Sequence, residues 1–201
     1  MPSSWTLAAA AVTALAITAT PALAADGKAL FADKGCTACH GENARTPIQA
    51  GYPVLAGQNA AYVLQQLKDI KSGARANGQI PDTMKPVVAD IAESDLGALA
   101  DYLGTLGRFA DVTAHGPADS PGRQLYLTKT CIACHGKEGN KPVMANYPYL
   151  AGQDKAYLLQ QMKDIKAGLR KNGSVAAMQP VMHLVSEPEM EAIADYLSNV
   201  K

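Results

Sequence analysis

The sequence predicts an all-α protein built from two tandem copies of one small domain. Three observations carry that reading. Residues 36–78 align with residues 131–173 at an offset of 95, with 26 identities in 43 positions. Apolar residues in both copies recur at three- and four-residue spacing, and no alternating run is long enough for a useful strand. One short motif, Cys36-Thr37-Ala38-Cys39-His40, returns as Cys131-Ile132-Ala133-Cys134-His135 and uses all four cysteines of the chain. A period near 95 is too long for a solenoid and matches a small domain, so the repetition is a duplication.

In chain order, the first feature is an apolar run over residues 7–19, then Pro21 and the small-residue sequence Ala22-Leu23-Ala24. This predicts a secretory signal peptide over 1–24, cleaved after Ala24, and a periplasmic mature chain. Residues 1–6 carry no Lys or Arg, which departs from the usual positive start. The run is short for a membrane span; left uncleaved, it would give a loose membrane association. An N-terminal domain over 25–106 follows, then a linker over 107–121 and a C-terminal domain over 122–201. The stretch 104–122, with Pro117, Pro121 and small polar residues, carries the linker signals.

Within each copy the spacing predicts three main helices separated by loops. The first covers 27–34 (122–129 in the second copy) and carries Phe31 or Tyr126. The middle helix begins at Asn59 or Asp154, both good N-caps. Its stripe is Val63, Leu67 and Ile70 in one copy and Leu158, Met162 and Ile165 in the other, stopped by Gly73 or Gly168. The last helix starts at Ser94 or Ser186, and Ser186 with Glu189 forms a capping box. Its stripe is Leu96, Leu99, Leu103 and Met190, Ile193, Leu197.

Formal net charge is zero over 201 residues, which gives no support to nucleic-acid binding. Residues 26–111 hold 8 basic and 10 acidic side chains, and the rest of the chain holds 10 and 8, a weak dipole of about −2 and +2.

C-x-x-C-H is the attachment signature of c-type haem. Two sulfurs add across the porphyrin vinyl groups, and the next residue, a histidine, is delivered beneath the iron. A redox disulfide or a four-cysteine zinc site could also use C-x-x-C pairs, but neither needs a histidine directly after the second cysteine. The motifs therefore assign two covalent haems c, on Cys36 and Cys39 and on Cys131 and Cys134, with His40 and His135 on the iron. Each domain is under 90 residues, where a side-chain core alone is marginal. A buried haem supplies the missing apolar core.

The duplication selects the second iron ligand. Met144, Met162, Met182 and Met190 align with Gln49, Leu67, Val88 and Leu96, so they read as packing residues. His183 aligns with Ala89, and His115 falls in the linker. Only Met84 and Met178 align with each other, each two residues before a proline, and they are the expected axial ligands. Pro53 and Pro148, in the repeated pattern P-x-L-x-G, are candidates to offer a carbonyl to the ligating histidine, or are simple turn prolines. Tyr52, Tyr62, Tyr147 and Tyr157 are candidates for propionate hydrogen bonds or for ring packing.

The ordered series C-x-x-C-H, P-x-L-x-G and M-x-P resembles class I cytochrome c. Its tandem copy, with L-A-G-Q before a tyrosine and Q-Q-x-K-D-I-K-x-G, resembles the dihaem cytochromes c4. The resemblance covers everything after the signal peptide. It implies two class I cytochrome c domains related by an approximate two-fold, with propionate edges facing across the interface. It also implies electron carriage from a cytochrome bc complex to a terminal oxidase. Histidine and methionine on one iron leave no open position, favour Fe(II) and disfavour catalysis at the metal. Two other readings stand beside that one. A subunit of a periplasmic dehydrogenase, such as a sulfide-oxidising flavocytochrome, differs only in its partner surface. A dihaem peroxidase would need one differently ligated haem, which two matched M-x-P sites do not supply. The two halves are expected to pack as a fixed pair around a buried polar interface that includes the repeated tyrosines.

Overall fold

The computed structural model describes Met1 and residues 26–107 and 119–200. The signal-peptide assignment and the linker interior at 108–118, with His115, lie outside the described residues. The first copy contains α1 (Gly27–Asp33), α2 (Thr37–His40), α3 (Ala60–Ser72), α4 (Met84–Ala89) and α5 (Glu93–Thr105). The second repeats them as α6 (Pro121–Thr128), α7 (Ile132–His135), α8 (Lys155–Lys166), α9 (Gln179–His183) and α10 (Glu187–Ser198), with a 3-10 turn at Gly173–Ala177 before α9. No strand forms among the described residues.

The helix stripes bury as their spacing requires. Phe31, Val63, Ile70, Val88, Leu96, Leu99 and Leu103 form one core, with Leu67 and Met84 packed against it. Tyr126, Leu158, Met162, Ile165, Met182, Met190, Ile193 and Leu197 form a second. Each copy thus has its own core. Met162, Met182 and Met190 are buried packing residues, while Met144 and His183 are exposed.

Helix ends show where local signals yielded to other partners. Asp154 caps α8 by accepting from the Tyr157 N–H at 2.7 Å. Asn59 holds the same position before α3, but its side chain donates across to the Tyr147 carbonyl instead. The last helix of the first copy begins at Glu93 after Ala92, not at Ser94. Glu93 and Asp95 place negative charge in its first turn, which suits the helix dipole without a side-chain cap. α5 runs through Thr105 and α6 starts at Pro121, so helices take both ends of the 104–122 stretch.

The helix crossings demand glycine. Gly27 lies where α1 meets α5, and a Cβ there would stand 2.1 Å from the Ala98 carbonyl oxygen. Gly122 repeats this, with a Cβ 2.0 Å from the Ala192 oxygen. Gly27→Ala or Gly122→Ala is expected to cost about 1–3 kcal/mol, since backbone must move. Denaturant titration of each variant with its haems attached checks this, and an unchanged midpoint would show that the crossing has slack.

At α10 the capping box forms: the Ser186 N–H donates to Glu189 Oε2 at 2.8 Å, and Lys129 Nζ stands 2.9 Å from Glu189 Oε1. The Ser186 N–H first, and the Lys129 ammonium after it, hold the Glu189 carboxyl down at about 2. The folded value lies below the unfolded one. The contribution is therefore complete above the ordinary carboxylate range and is lost as pH falls from that range toward about 2. Glu189→Gln is expected to lower the thermal midpoint near neutral pH and to leave it unchanged at the acid end of that window. Equal losses at both ends of a pH series of melts would contradict the assignment.

The two copies pair through buried polar groups placed two-fold. Arg75 Nη2 donates to the Tyr157 hydroxyl at 3.0 Å and Gln161 Oε1 at 3.1 Å; Arg170 Nη2 donates to the Tyr62 hydroxyl at 3.0 Å and Gln66 Oε1 at 3.1 Å. Asn77 donates to Asp164 at 2.5 Å, and Asn172 to Asp69 at 2.6 Å. Gln58 bridges the backbone of Tyr149, and Gln153 bridges that of Val54, each by one donated and one accepted bond. Tyr62 and Tyr157 therefore serve the interface. Although burial pushes the Tyr157 hydroxyl up, the Arg75 and Arg170 guanidiniums hold it below the ordinary phenol value. The ion pairs of the described residues lie within a copy, so hydrogen bonding holds the halves, and the opposite formal charges add no pairing of their own.

Candidate functional site

Each site starts from a single helical turn. In α2 the His40 N–H bonds to the Cys36 carbonyl at 3.0 Å, and α7 repeats this from His135 to Cys131 at 3.0 Å. The turn sets both cysteines and the histidine on one short element. Gly41 and Gly136 end the turns at φ 76° and 78°. A Cβ on either would stand 2.2 Å from the Thr46 oxygen or 2.4 Å from the Lys141 oxygen. The following loop is thereby folded back on the turn, and the Ile48 and Val143 N–H groups bond to the carbonyls of Cys39 and Cys134 at 3.1 and 3.0 Å.

The histidines are held by their second ring nitrogen. His40 Nδ1 lies 3.2 Å from the Pro53 carbonyl and His135 Nδ1 lies 3.2 Å from the Pro148 carbonyl. Of the two roles weighed for these prolines, the carbonyl partner is the one the fold adopts. Nδ1 therefore carries the proton, and Nε2 is left as a lone pair. Burial pushes both imidazoles below their ordinary value, against a smaller opposing effect of the proline carbonyl. His40 Nε2 is buried with no hydrogen-bond partner among the described residues. A buried, neutral, basic nitrogen without a donor suits a metal in its place. The Tyr52 and Tyr147 rings stand beside these histidines at 6.3 Å, tilted by 40° and 38°.

The thiols differ within each pair. Cys36 and Cys131 pack against the cores, and burial pushes their thiols up, to about 11 for Cys131. Cys39 and Cys134 are exposed. All four are unpaired, and no three His, Cys, Asp or Glu side chains of the described residues gather into a metal-holding cluster. The four-cysteine zinc site is therefore not assembled. Met84 and Met178 open α4 and α9, half-buried and packed against the cores of their own copies.

Sequence reasoning missed the partners inside the interface: Gln58, Gln66, Asp69, Arg75, Asn77 and their counterparts. A signal existed, because these polar positions are identical between copies although the apolar stripe has no use for them. It also missed Glu138, which is buried and bound by Arg123 at 3.1 Å and by the Tyr196 hydroxyl.

A turn that carries two cysteines and a histidine oriented by a proline carbonyl, present twice among helices, defines a duplicated c-type cytochrome. Comparison with known proteins agrees. The cytochrome c family model matches residues 24–107 and 120–201. A thiosulfate dehydrogenase electron acceptor from Stutzerimonas stutzeri (strain A1501) is 34% identical over 98% of this chain and 94% of its own. A cytochrome c4 from Pseudomonas aeruginosa is 31% identical over 94% of this chain and 93% of its own. The crystal structure of reduced recombinant cytochrome c4 from Pseudomonas stutzeri matches at a TM-score of 0.70 and 28% identity, covering 87% of this chain and 97% of that one. The chain belongs to the cytochrome c family, as a two-domain protein of the cytochrome c4 type. It binds two covalent haems c and is an electron carrier.

Proposed function

We propose that the chain is a periplasmic carrier between respiratory complexes, from a cytochrome bc complex to a terminal oxidase, and not an enzyme. One haem would be held by Cys36 and Cys39 through thioethers, with His40 Nε2 and Met84 Sδ supplying its iron ligands. The other would be held by Cys131 and Cys134, with His135 and Met178 supplying the iron ligands. When bound, haem supplies an iron that cycles between Fe(II) and Fe(III) by single electrons. The protein's part is to orient and to exclude. Pro53 and Pro148 hold each imidazole by its Nδ1, and both imidazoles are buried. A methionine thioether in an apolar setting favours the reduced state. Two matched ligand pairs leave no metal position for a substrate, which supports carriage over peroxidase chemistry.

The observation that carries this reading is the buried His40 Nε2, without a hydrogen-bond partner among the described residues and aimed by the Pro53 contact. Export is supported by the signal-like residues 7–24. No helix of the described residues is long and apolar enough to cross a membrane. A second reading, acceptor for a periplasmic dehydrogenase, is favoured by the relative named as a thiosulfate dehydrogenase electron acceptor. Acid-acetone extraction followed by intact mass is expected to leave two haem increments on the periplasmic polypeptide. One increment or none would overturn the assignment. A red protein that purifies alone supports the mobile carrier; stoichiometric recovery with a dehydrogenase supports the second reading.

A further inference from the structure

The duplication provides an internal control for the methionine side of each site. In the second copy Asn146 stands two residues before Pro148, whose carbonyl holds His135. The Asn146 amide donates to the Ser174 hydroxyl at 3.0 Å. Ser174 lies in the 3-10 turn Gly173–Ala177, and the residue after that turn is Met178. The Met178 N–H bonds back into the turn, to the Val175 carbonyl at 2.9 Å. A clasp thus ties the segment that positions the histidine to the segment that carries the methionine.

The first copy lacks both partners of this clasp. Gly51 stands where Asn146 does, and its N–H is bonded at 2.8 Å to Asp154 of the other copy. Gln79 stands where Ser174 does, and Gly51 has no side chain to reach it. Instead the Thr83 hydroxyl donates to the Gln79 carbonyl at 2.7 Å, a bond within the methionine's own segment. Packing follows the same split. Val87, three residues after Met84, is 41% exposed, whereas Val181 at the matching place packs against the second core. The histidine side differs as well. The Tyr126 hydroxyl donates at 2.7 Å to the carbonyl of Gly136, the residue after His135, and the first copy has Phe31 at that position. A segment held by fewer contacts opens at a lower free energy.

We propose that Met84 is the releasable ligand and Met178 the latched one, so that the first copy alone readily admits a small uncharged donor molecule, of the imidazole class, in the methionine's place. The proposal rests on the histidine-and-methionine ligand reading and adds a binding site to the carrier. The step is an exchange: the donor's lone pair takes the bond that the Met84 thioether gives up. Oxidation state and proton count are unchanged. Apparent affinity scales with the fraction of molecules whose methionine is withdrawn, so the clasp is read directly in the donor concentration required.

The test is an imidazole titration of the full ferric chain with both haems, at a pH where imidazole is uncharged. The readout is the methionine-to-iron charge-transfer absorption. In the unmodified protein that absorption is expected to be lost in two steps, separated at least about tenfold in concentration. Met178→Ala leaves the Met84 band alone and Met84→Ala leaves the Met178 band alone, so each variant reports one site. The first is expected to follow the lower step and the second the higher. Ser174→Ala and Asn146→Ala are each expected to bring the higher step down about fivefold, the scale of one hydrogen bond, and to leave the lower step in place. Together they should do no more than either alone, since both remove the same bond. The absence of any step, a single step, a lower step belonging to Met178, or clasp variants that leave the higher step unmoved would overturn the proposal. Two bands surviving in Met84→Ala would instead overturn the ligand reading beneath it.

Discussion

Replacing Arg75 or Arg170 by methionine is expected to destabilise the paired halves by about 3–5 kcal/mol, the scale for removing one partner from a buried charged network. Each guanidinium is buried and serves both copies. Arg75 donates to Gln66 at 3.1 Å within its own copy and to Tyr157 and Gln161 across the interface. Arg170 donates to Gln161 at 3.0 Å and to Tyr62 and Gln66 across it. Removal of Arg75 takes its donor from the Tyr157 hydroxyl, and removal of Arg170 takes the donor from the Tyr62 hydroxyl and a positive charge from near the buried Asp164 carboxylate. Because Gln66 and Gln161 are shared, the double variant is expected to cost less than the two single losses added together. Denaturant unfolding of the protein with both haems would show it, followed separately at each haem. A loss under about 1 kcal/mol in each single variant, with the halves still unfolding together, would contradict the network's role. The same variants are expected to slow electron exchange between the two centres, which in the unmodified protein should be independent of protein concentration.

The second large effect belongs to the methionines. Met84→Ala is expected to abolish one of two methionine-to-iron charge-transfer bands and to lower one of two potentials, since a thioether that favours Fe(II) is lost. Met178→Ala is expected to do the same at the other centre. Met162→Leu, Met182→Leu and Met190→Leu supply the contrast. These side chains are buried in the second core, and their exchange should cost under about 1.5 kcal/mol with both bands intact. Retention of both bands in Met84→Ala would show that another group ligates the first iron.

Much of this architecture can be read in the sequence, for reasons that differ by element. The stripes of Val63, Ile70, Leu158 and Ile165 state a helix period, and they bury as that period requires. The attachment turn is legible because its chemistry fixes the spacing of three residues. The Pro53 and Pro148 carbonyls are not singled out by the sequence, since a backbone acceptor leaves no mark in the identity of a side chain. Polar residues were harder still. Asn59 has the chemistry of an N-cap, and only the neighbouring copy explains why its amide faces Tyr147 instead. Arg75 and Arg170 lie beyond the glycines that end their helices, where no periodicity operates. Their partners are about 80 to 110 residues away in sequence, as the separations of 82 and 108 to Tyr157 and Tyr62 show.

The pairing of the halves also bears on how such a chain could arise. Gln58, Tyr62, Gln66, Asp69, Arg75 and Asn77 each have an identical residue at the matching position of the second copy. The bonds that cross between them run both ways: what Arg75 gives to Tyr157, Arg170 gives to Tyr62. The surface is therefore its own complement, and two molecules of one half contain every donor and acceptor of these side-chain contacts. Such a surface is what an isologous homodimer requires. A symmetric dimer of single-domain ancestors needs no new contact to become this protein, only a covalent connection. That connection turns a bimolecular encounter into an intramolecular one. Once joined, the two ends are free to diverge in sequence, while the residues along the axis between them remain bound to match.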